Sequence, residues 1–143
     1  MFCPRSRKAC PSRGCTATSH SATVRTGLDE ESARLDTLAL LDEDVPTAIF
    51  VGNDELAFGA LRALAEHGLS SDVSVVGYDD VDIASYPAIS LTSVNQAGEA
   101  MGERAIRLLL ERIQGRTDPI HFSVEPSLKV RDSTRPAAVE PTA

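Results

Sequence analysis

The sequence predicts an α/β fold in which helices flank a parallel sheet. Three short runs, at residues 47–52, 73–77 and 91–94, are apolar almost throughout, and each leads into a helical pattern. Such runs are typical of strands buried on both faces, as in a parallel sheet covered by helices. Strand–helix alternation with short connections gives right-handed β-α-β units. We therefore expect one α/β subdomain over residues 28–136, with a frayed C-terminus at 137–143.

A basic tail is predicted over residues 1–27. This segment holds five of the 14 Lys and Arg residues and none of the 21 acidic ones. It shows no helical or strand period and is rich in Ser, Thr, Arg and Pro, so we expect it to be disordered. The net charge of the whole chain is −7, which argues against a nucleic-acid-binding module.

The cysteines indicate neither a disulfide framework nor a metal site. All three, Cys3, Cys10 and Cys15, lie in the tail, and their odd number does not suit paired bridges. Together with His20 they lack the short Cys-x2-4-Cys spacing of zinc sites. We predict no metal and no cofactor. The cysteine-free remainder, with no membrane-length apolar run and no signal-peptide core, predicts a cytoplasmic protein; a transit peptide is the alternative for the tail.

The first predicted helix covers residues 29–42, and the first strand follows it. Acidic residues at 29–31 suit a helix N-terminus, and Pro46 prevents the helix from continuing. An apolar stripe is expected from Leu28, Leu35, Leu38 and Leu40 or Leu41. After the strand at 47–52, a largely apolar helix begins near residue 54 and ends at Gly68.

The remaining elements follow in the same alternation. After the strand at 73–77, a short helical turn is expected over 81–86 and is ended by Pro87. The strand at 91–94 precedes a helix near 97–114, which has apolar residues at spacings of three and four and ends at Gly115. Two closing runs, 120–124 and 127–130, are separated by Pro126, which suggests a break or an edge strand.

Polar side chains follow all three predicted strands, and they predict a binding site. They are Asn53, Asp79 (or Asp80) and Gln96. Ligands of open α/β sheets bind beyond the carboxyl ends of the strands. Amides and carboxylates suit the hydroxyl groups of a sugar, a nucleoside or a related polar metabolite. The alternative is that these residues only cap a helix and form a turn; a capping Asp54 with Asn53 facing the crevice would satisfy both interpretations.

Enzymatic activity is not expected. The sequence has no Gly-x-Ser-x-Gly elbow, and its histidines outside the tail, His67 and His121, have no evident serine or cysteine partner. The Asp79–Asp80 pair could hold Mg²⁺, but no phosphoryl-transfer pattern accompanies it.

Four segments closely resemble the lactose-repressor/galactose-repressor family of bacterial transcription regulators. They are residues 46–55, 72–80, 91–96 and 126–134, and the resemblance covers about residues 28–136. It implies the C-terminal lobe of a two-lobed sensor domain that is similar to periplasmic sugar-binding proteins. It also implies that Asn53, Asp79 and Gln96 contact the effector. The helix around Phe58 and the turn ending at Tyr86 match regions that the family uses for dimerisation, with plain core packing as the alternative.

The family's helix-turn-helix and N-terminal lobe have no counterpart in the sequence, for which a truncated or frame-shifted reading frame is one hypothesis. We therefore expect the effector-sensing part of a transcriptional repressor, with a sugar-like effector and a homodimeric partner. Operator DNA is a partner of full-length family members and is not expected for this chain alone. The alternative is a sugar-binding protein of a transport system with the same fold. One lobe alone is expected to bind effector weakly or undetectably.

Overall fold

The computed structural model describes residues 2–4 and 23–136, and its sheet has five strands in sequence order. The three inner strands are parallel, as predicted, and the two outer strands run antiparallel to their neighbours. The strands are β1 (Phe2–Pro4), β2 (Pro46–Phe50), β3 (Ser74–Tyr78), β4 (Thr92–Asn95) and β5 (Ser127–Lys129).

Three α-helices and one 3-10 turn accompany the sheet. They are α1 (Glu30–Glu43), α2 (Asp54–Glu66), the turn Asp82–Ser85 and α3 (Gly98–Ile113). Each agrees with the predicted element to within about two residues, the usual uncertainty of a helix boundary. Gly68 and Gly115 have φ values of +69° and +104°, which confirms them as helix stops. In the described part of the chain, no helix is long and apolar enough to cross a bilayer.

One expectation about strands is wrong, since residues 120–124 form no strand and β5 begins only after Pro126. Within the tail predicted to be disordered, residues 2–4 form β1, which pairs antiparallel with β2. Residues 5–22 and 137–143, which include Cys10, Cys15 and His20, lie outside the described residues, so the predictions made for them stay predictions.

The buried face of α1 also differs from the predicted leucine stripe. Leu28 is 87% exposed and Leu35 is 52% exposed, whereas Ala33, Thr37 and Leu41 are buried. Small residues face inward because α1 packs closely against α2. A Cβ on Gly59 would overlap the Glu30 carbonyl oxygen and lie 2.9 Å from the Arg34 backbone nitrogen. Glycine is therefore required at this helix crossing.

The core lies between these helices and the parallel strands. Its buried apolar residues are Leu41, Ile49, Ala57, Leu64, Val73, Val75, Ala84 and Leu91. By contrast, α3 has no buried residue, although its apolar side chains recur on one face as predicted. Ile113 is 72% exposed, and Ile106, Leu109 and Leu110 are also exposed. Periodicity correctly predicted this helix but not whether it has a packing partner within the described residues.

Ser133 joins the segment after β5 to the beginnings of β3 and β4. Its hydroxyl donates to the Val75 carbonyl oxygen at 2.7 Å and accepts from the Thr92 N–H at 2.7 Å. Its own backbone N–H donates to the Ser90 carbonyl, and its carbonyl accepts from the Val75 N–H. This buried residue therefore fixes the spacing of two parallel strands through both side chain and backbone.

Candidate functional site

The predicted contact residues lie at the carboxyl ends of three neighbouring parallel strands. Asn53 follows β2, Asp79 follows β3 and Gln96 follows β4. All three are half-buried. The Gln96 side-chain amide donates to Asp79 Oδ1 at 2.8 Å, so two of the three residues are in direct contact. This edge of the sheet is where an open α/β fold binds ligands.

Asn53, rather than Asp54, is the residue that caps α2. Its Oδ1 accepts from the Leu56 N–H at 2.8 Å, and its backbone is extended, as expected for an N-cap. Of the alternatives left open, capping by Asn53 is therefore the one observed, and a capping Asp54 is not. The NH2 group of Asn53 makes no hydrogen bond to the described residues and remains able to donate to a ligand.

Asp54 is completely buried beneath the site, with 0% exposure. Its Oδ1 accepts from the Ser93 hydroxyl at 2.6 Å, and its Oδ2 accepts from the Val81 N–H at 2.9 Å. The carboxylate fits there because Gly77 has no side chain: a Cβ at that position would overlap Asp54 Oδ1. No local sequence signal indicates this role, because Asp54 is adjacent to a capping position and resembles a second cap.

The turn after β3 has an unusual backbone. Asp79 has a backbone φ of +108° and Asp80 has a φ of +57°, values that residues other than glycine rarely adopt. The Asp80 carboxylate accepts from Asn95 Nδ2 at 2.9 Å and from Arg131 Nη2 at 2.6 Å. Arg131 also donates to the Leu91 carbonyl at 2.6 Å. The turn is therefore held by groups on other elements, which is how strained backbone persists at functional sites.

The two carboxyl groups of this turn have pKa values shifted in opposite directions. Burial raises the pKa of Asp79, and the negative charge of Asp54 raises it further. Burial also acts to raise the pKa of Asp80, but hydrogen bonds from Asn95 and Arg131, with the charge of Arg131, outweigh it and lower that pKa. Asp80 therefore has its partners within the protein. No Lys or Arg of the described residues forms an ion pair with Asp79, whose carboxylate suits a ligand's hydrogen-bond donors.

Gln96 is presented by a second irregular turn. Asn95 Oδ1 accepts from the Ala97 N–H at 2.8 Å, and Ala97 itself has a φ of +56°. The side-chain nitrogen of Gln96 donates to Asp79, so the Oε1 atom of Gln96 remains able to accept from a ligand. The edge thus offers one donor group, on Asn53, and acceptors on Asp79 and Gln96. This set can bind hydroxyl groups, each of which both donates and accepts.

No group of three or more metal-ligating residues occurs where the structure describes side chains. The Mg²⁺ alternative for Asp79 and Asp80 gains no support from the geometry, because both oxygens of Asp80 already accept hydrogen bonds from protein groups.

A groove of about 460 Å³ lies on another face, between α2 and the loop after Tyr86. Phe58, Leu61 and Ala65 line it from the helix, and residues 87–90 line it from the loop. Phe58 is half-buried and packs against the core. Its position is therefore compatible both with a dimer contact and with plain core packing. Tyr86 precedes the groove-lining loop and is 56% exposed.

Comparison with known proteins gives consistent matches. Residues 6–134 match the model of the periplasmic binding protein-like domain. The "HTH-type transcriptional repressor PurR" of Haemophilus influenzae (strain PittEE) is 36% identical over 102 residues, which are 67% of this chain and 30% of the repressor. The chain therefore spans about a third of the length of this curated relative.

Solved structures show the same partial coverage. The Lac repressor dimer bound to operator and the anti-inducer ONPF aligns with a TM-score of 0.67 and 37% identity, over 74% of this chain and 38% of that one. A LacI family transcriptional regulator from Enterococcus faecium with bound ribose aligns with a TM-score of 0.69 and 35% identity, over 76% of this chain and 41% of that one.

Proposed function

Because the chain belongs to the periplasmic binding protein-like domain family, we propose that it is the effector-sensing part of a bacterial transcriptional regulator. In this proposal Asn53, Asp79 and Gln96 contact the effector. The single observation that carries it is Asp79, a half-buried carboxylate without a cationic partner among the described residues, in contact with Gln96 at the ligand-binding edge. The matched relative is a repressor, which favours regulation over transport.

The chemistry of the edge supports a sugar or a related polar metabolite as the effector. An ionised carboxylate accepts two or more hydrogen bonds, and vicinal hydroxyl groups supply such donors in fixed geometry. The neighbouring Asn53 and Gln96 amides complement hydroxyl groups as donor and acceptor, respectively. Ribose is bound in the Enterococcus faecium regulator, and it is a suitable first probe for this chain.

Asp79→Asn is expected to weaken ribose binding while raising thermal stability. Losing the charge-assisted hydrogen bonds lowers affinity by about tenfold. Stability moves the other way because the pKa of Asp79 is raised in the folded protein, so its ionised form costs folding free energy. This cost is absent below the unfolded-state pKa of about 4 and develops as pH rises through the higher folded-state pKa. NMR titration with ribose detects weak binding, and thermal melts across this pH range measure stability.

The exposed residue Asp82 provides the matched control for Asp79. Asp82→Asn removes the same charge three positions along the chain and should leave ribose binding unchanged. The affinities of Asp79→Asn and the wild-type chain are compared for ribose, hexoses and nucleosides. Equal affinities of the two proteins for every one of these ligands would contradict the assignment of Asp79.

We also propose that the groove beside α2 is a homodimer interface, in which a second copy of the chain covers Phe58 and Tyr86. The support is a groove with mixed apolar and polar lining next to an exposed tyrosine, together with the dimeric state given for the Lac repressor. Ala65→Arg places a long charged side chain in this groove and is expected to shift the chain from dimer to its monomer mass of 15.2 kDa in light scattering.

Ala39→Arg makes the same substitution at an exposed position of α1, away from the groove, and should leave the dimer intact. A monomeric mass for the wild-type chain, or equal dissociation by both variants, would rule out this interface.

A further inference from the structure

The buried carboxylate of Asp54 has a role that the proposed effector contacts do not include. It is fully enclosed, and no Lys or Arg of the described part of the chain forms an ion pair with it. Burying a charged group is costly unless hydrogen bonds and dipoles compensate it. Here the compensation comes from Ser93, Val81 and the N-terminus of α2, whose first residue is Asp54.

These hydrogen bonds lead directly to the backbone around Asp79. The Val81 N–H donates to Asp54, and the Asp80 N–H donates at 3.1 Å to the same Ser93 hydroxyl that donates to Asp54. The Asp79 N–H donates to the Val94 carbonyl at 3.0 Å. Three consecutive N–H groups are therefore fixed, and two of them depend on Asp54, directly or through Ser93.

The arrangement continues to Gln96. The Asp80 side chain, placed by this turn, accepts from Asn95, and Asn95 in turn fixes the bend at Ala97 that presents Gln96. Gln96 then donates to Asp79. Asp54 is also the immediate chain neighbour of Asn53. One hydrogen-bonded network therefore joins all three ends of the parallel strands.

We propose that Asp54 is a positioning residue: with Ser93, its carboxylate holds the Asp79–Asp80 turn in its left-handed conformation and so sets the directions of Asp79 and Gln96. This inference rests on the proposed function for its consequence in binding. The role requires a carboxylate, because both oxygens accept hydrogen bonds. An asparagine has one acceptor oxygen, so either the Val81 N–H or the Ser93 hydroxyl proton would lose its acceptor.

The test compares Asp54→Asn with Glu55→Gln in the full chain. Glu55 is the next residue of α2 and is exposed, so Glu55→Gln removes one charge from the same helix end without touching the turn. In Asp54→Asn, NMR hydrogen exchange at the Asp80 and Val81 amides should accelerate by about tenfold or more relative to the buried Leu64 amide. In Glu55→Gln these rates should not change. Ribose affinity should fall only in Asp54→Asn.

Ser93→Ala supplies a second variant should Asp54→Asn fail to fold. It removes the link to the Asp80 amide but retains the bond between Val81 and Asp54, so exchange should accelerate at residue 80 and not at residue 81. Unchanged exchange at these amides, or acceleration spread evenly over the core, overturns the proposal. Equal ribose affinity despite a loosened turn overturns it as well. A loosened turn in a chain whose wild type binds no probe supports the positioning role and gives no support to the effector contacts.

Discussion

Gly59→Ala is expected to lower the free energy of unfolding by about 2 kcal/mol or more, because overpacking against a fixed backbone exceeds the gain in helix propensity. The added Cβ would overlap the Glu30 carbonyl oxygen and press against the Arg34 backbone nitrogen at 2.9 Å. Neither atom can rotate away as a flexible side chain could. The helices α1 and α2 would have to separate, and urea unfolding measures the cost.

Gly102→Ala is the matched control, since Gly102 lies within α3 and a Cβ there meets nothing within 4 Å. Replacing this exposed glycine should stabilise the helix by up to about 1 kcal/mol. We therefore expect the free energy of unfolding to fall in Gly59→Ala and to rise in Gly102→Ala. A stabilising effect at both positions would mean that α1 and α2 do not approach as closely as described.

Ser133→Ala is expected to cost about 2–4 kcal/mol in the free energy of unfolding. The hydroxyl donates to the Val75 carbonyl and accepts from the Thr92 N–H. Each buried group left without its hydrogen-bond partner costs about 1–3 kcal/mol. Chemical denaturation with an unchanged m-value would attribute the change to stability alone.

Ser85→Ala removes a comparable hydroxyl, one that donates to the Asp82 carbonyl on the exposed 3-10 turn. Its effect should stay within about 0.5 kcal/mol. An equally small effect at Ser133 would show that water or a rearranged backbone replaces the hydroxyl.

The parallel strands and the helix ends were predictable because their signals are local. Continuous apolar runs predicted β2, β3 and β4, and glycines at Gly68 and Gly115 predicted the ends of α2 and α3. The convergence of Asp79 and Gln96 also followed, since parallel strands end at one edge of the sheet. The resemblance of four segments to a known family agreed with these expectations and with the family match.

The errors concern relations between distant residues. The exchange of roles between Asn53 and Asp54 depends on the space that Gly77 leaves beneath the turn, and these positions are far apart in sequence. The buried face of α1 depends on Gly59 in the next helix, so leucine periodicity alone correctly placed Leu41 but not Leu35. Arg131 was missed as a support of Asp80 because nothing near it in the sequence indicates that partner.

The segment that carries Ser133 also has a consequence for the order of folding. Its bonds to Val75 span 58 residues, and the bond from the Arg135 N–H to the Ser74 hydroxyl spans 61. Such non-local contacts slow folding, because a long loop must close before they form. The helices α1 and α2 lie close together in the sequence and pack against each other before that segment is synthesised. The parallel sheet, in contrast, completes its hydrogen bonding only after residues 131–135 have emerged, so this late segment closes the core.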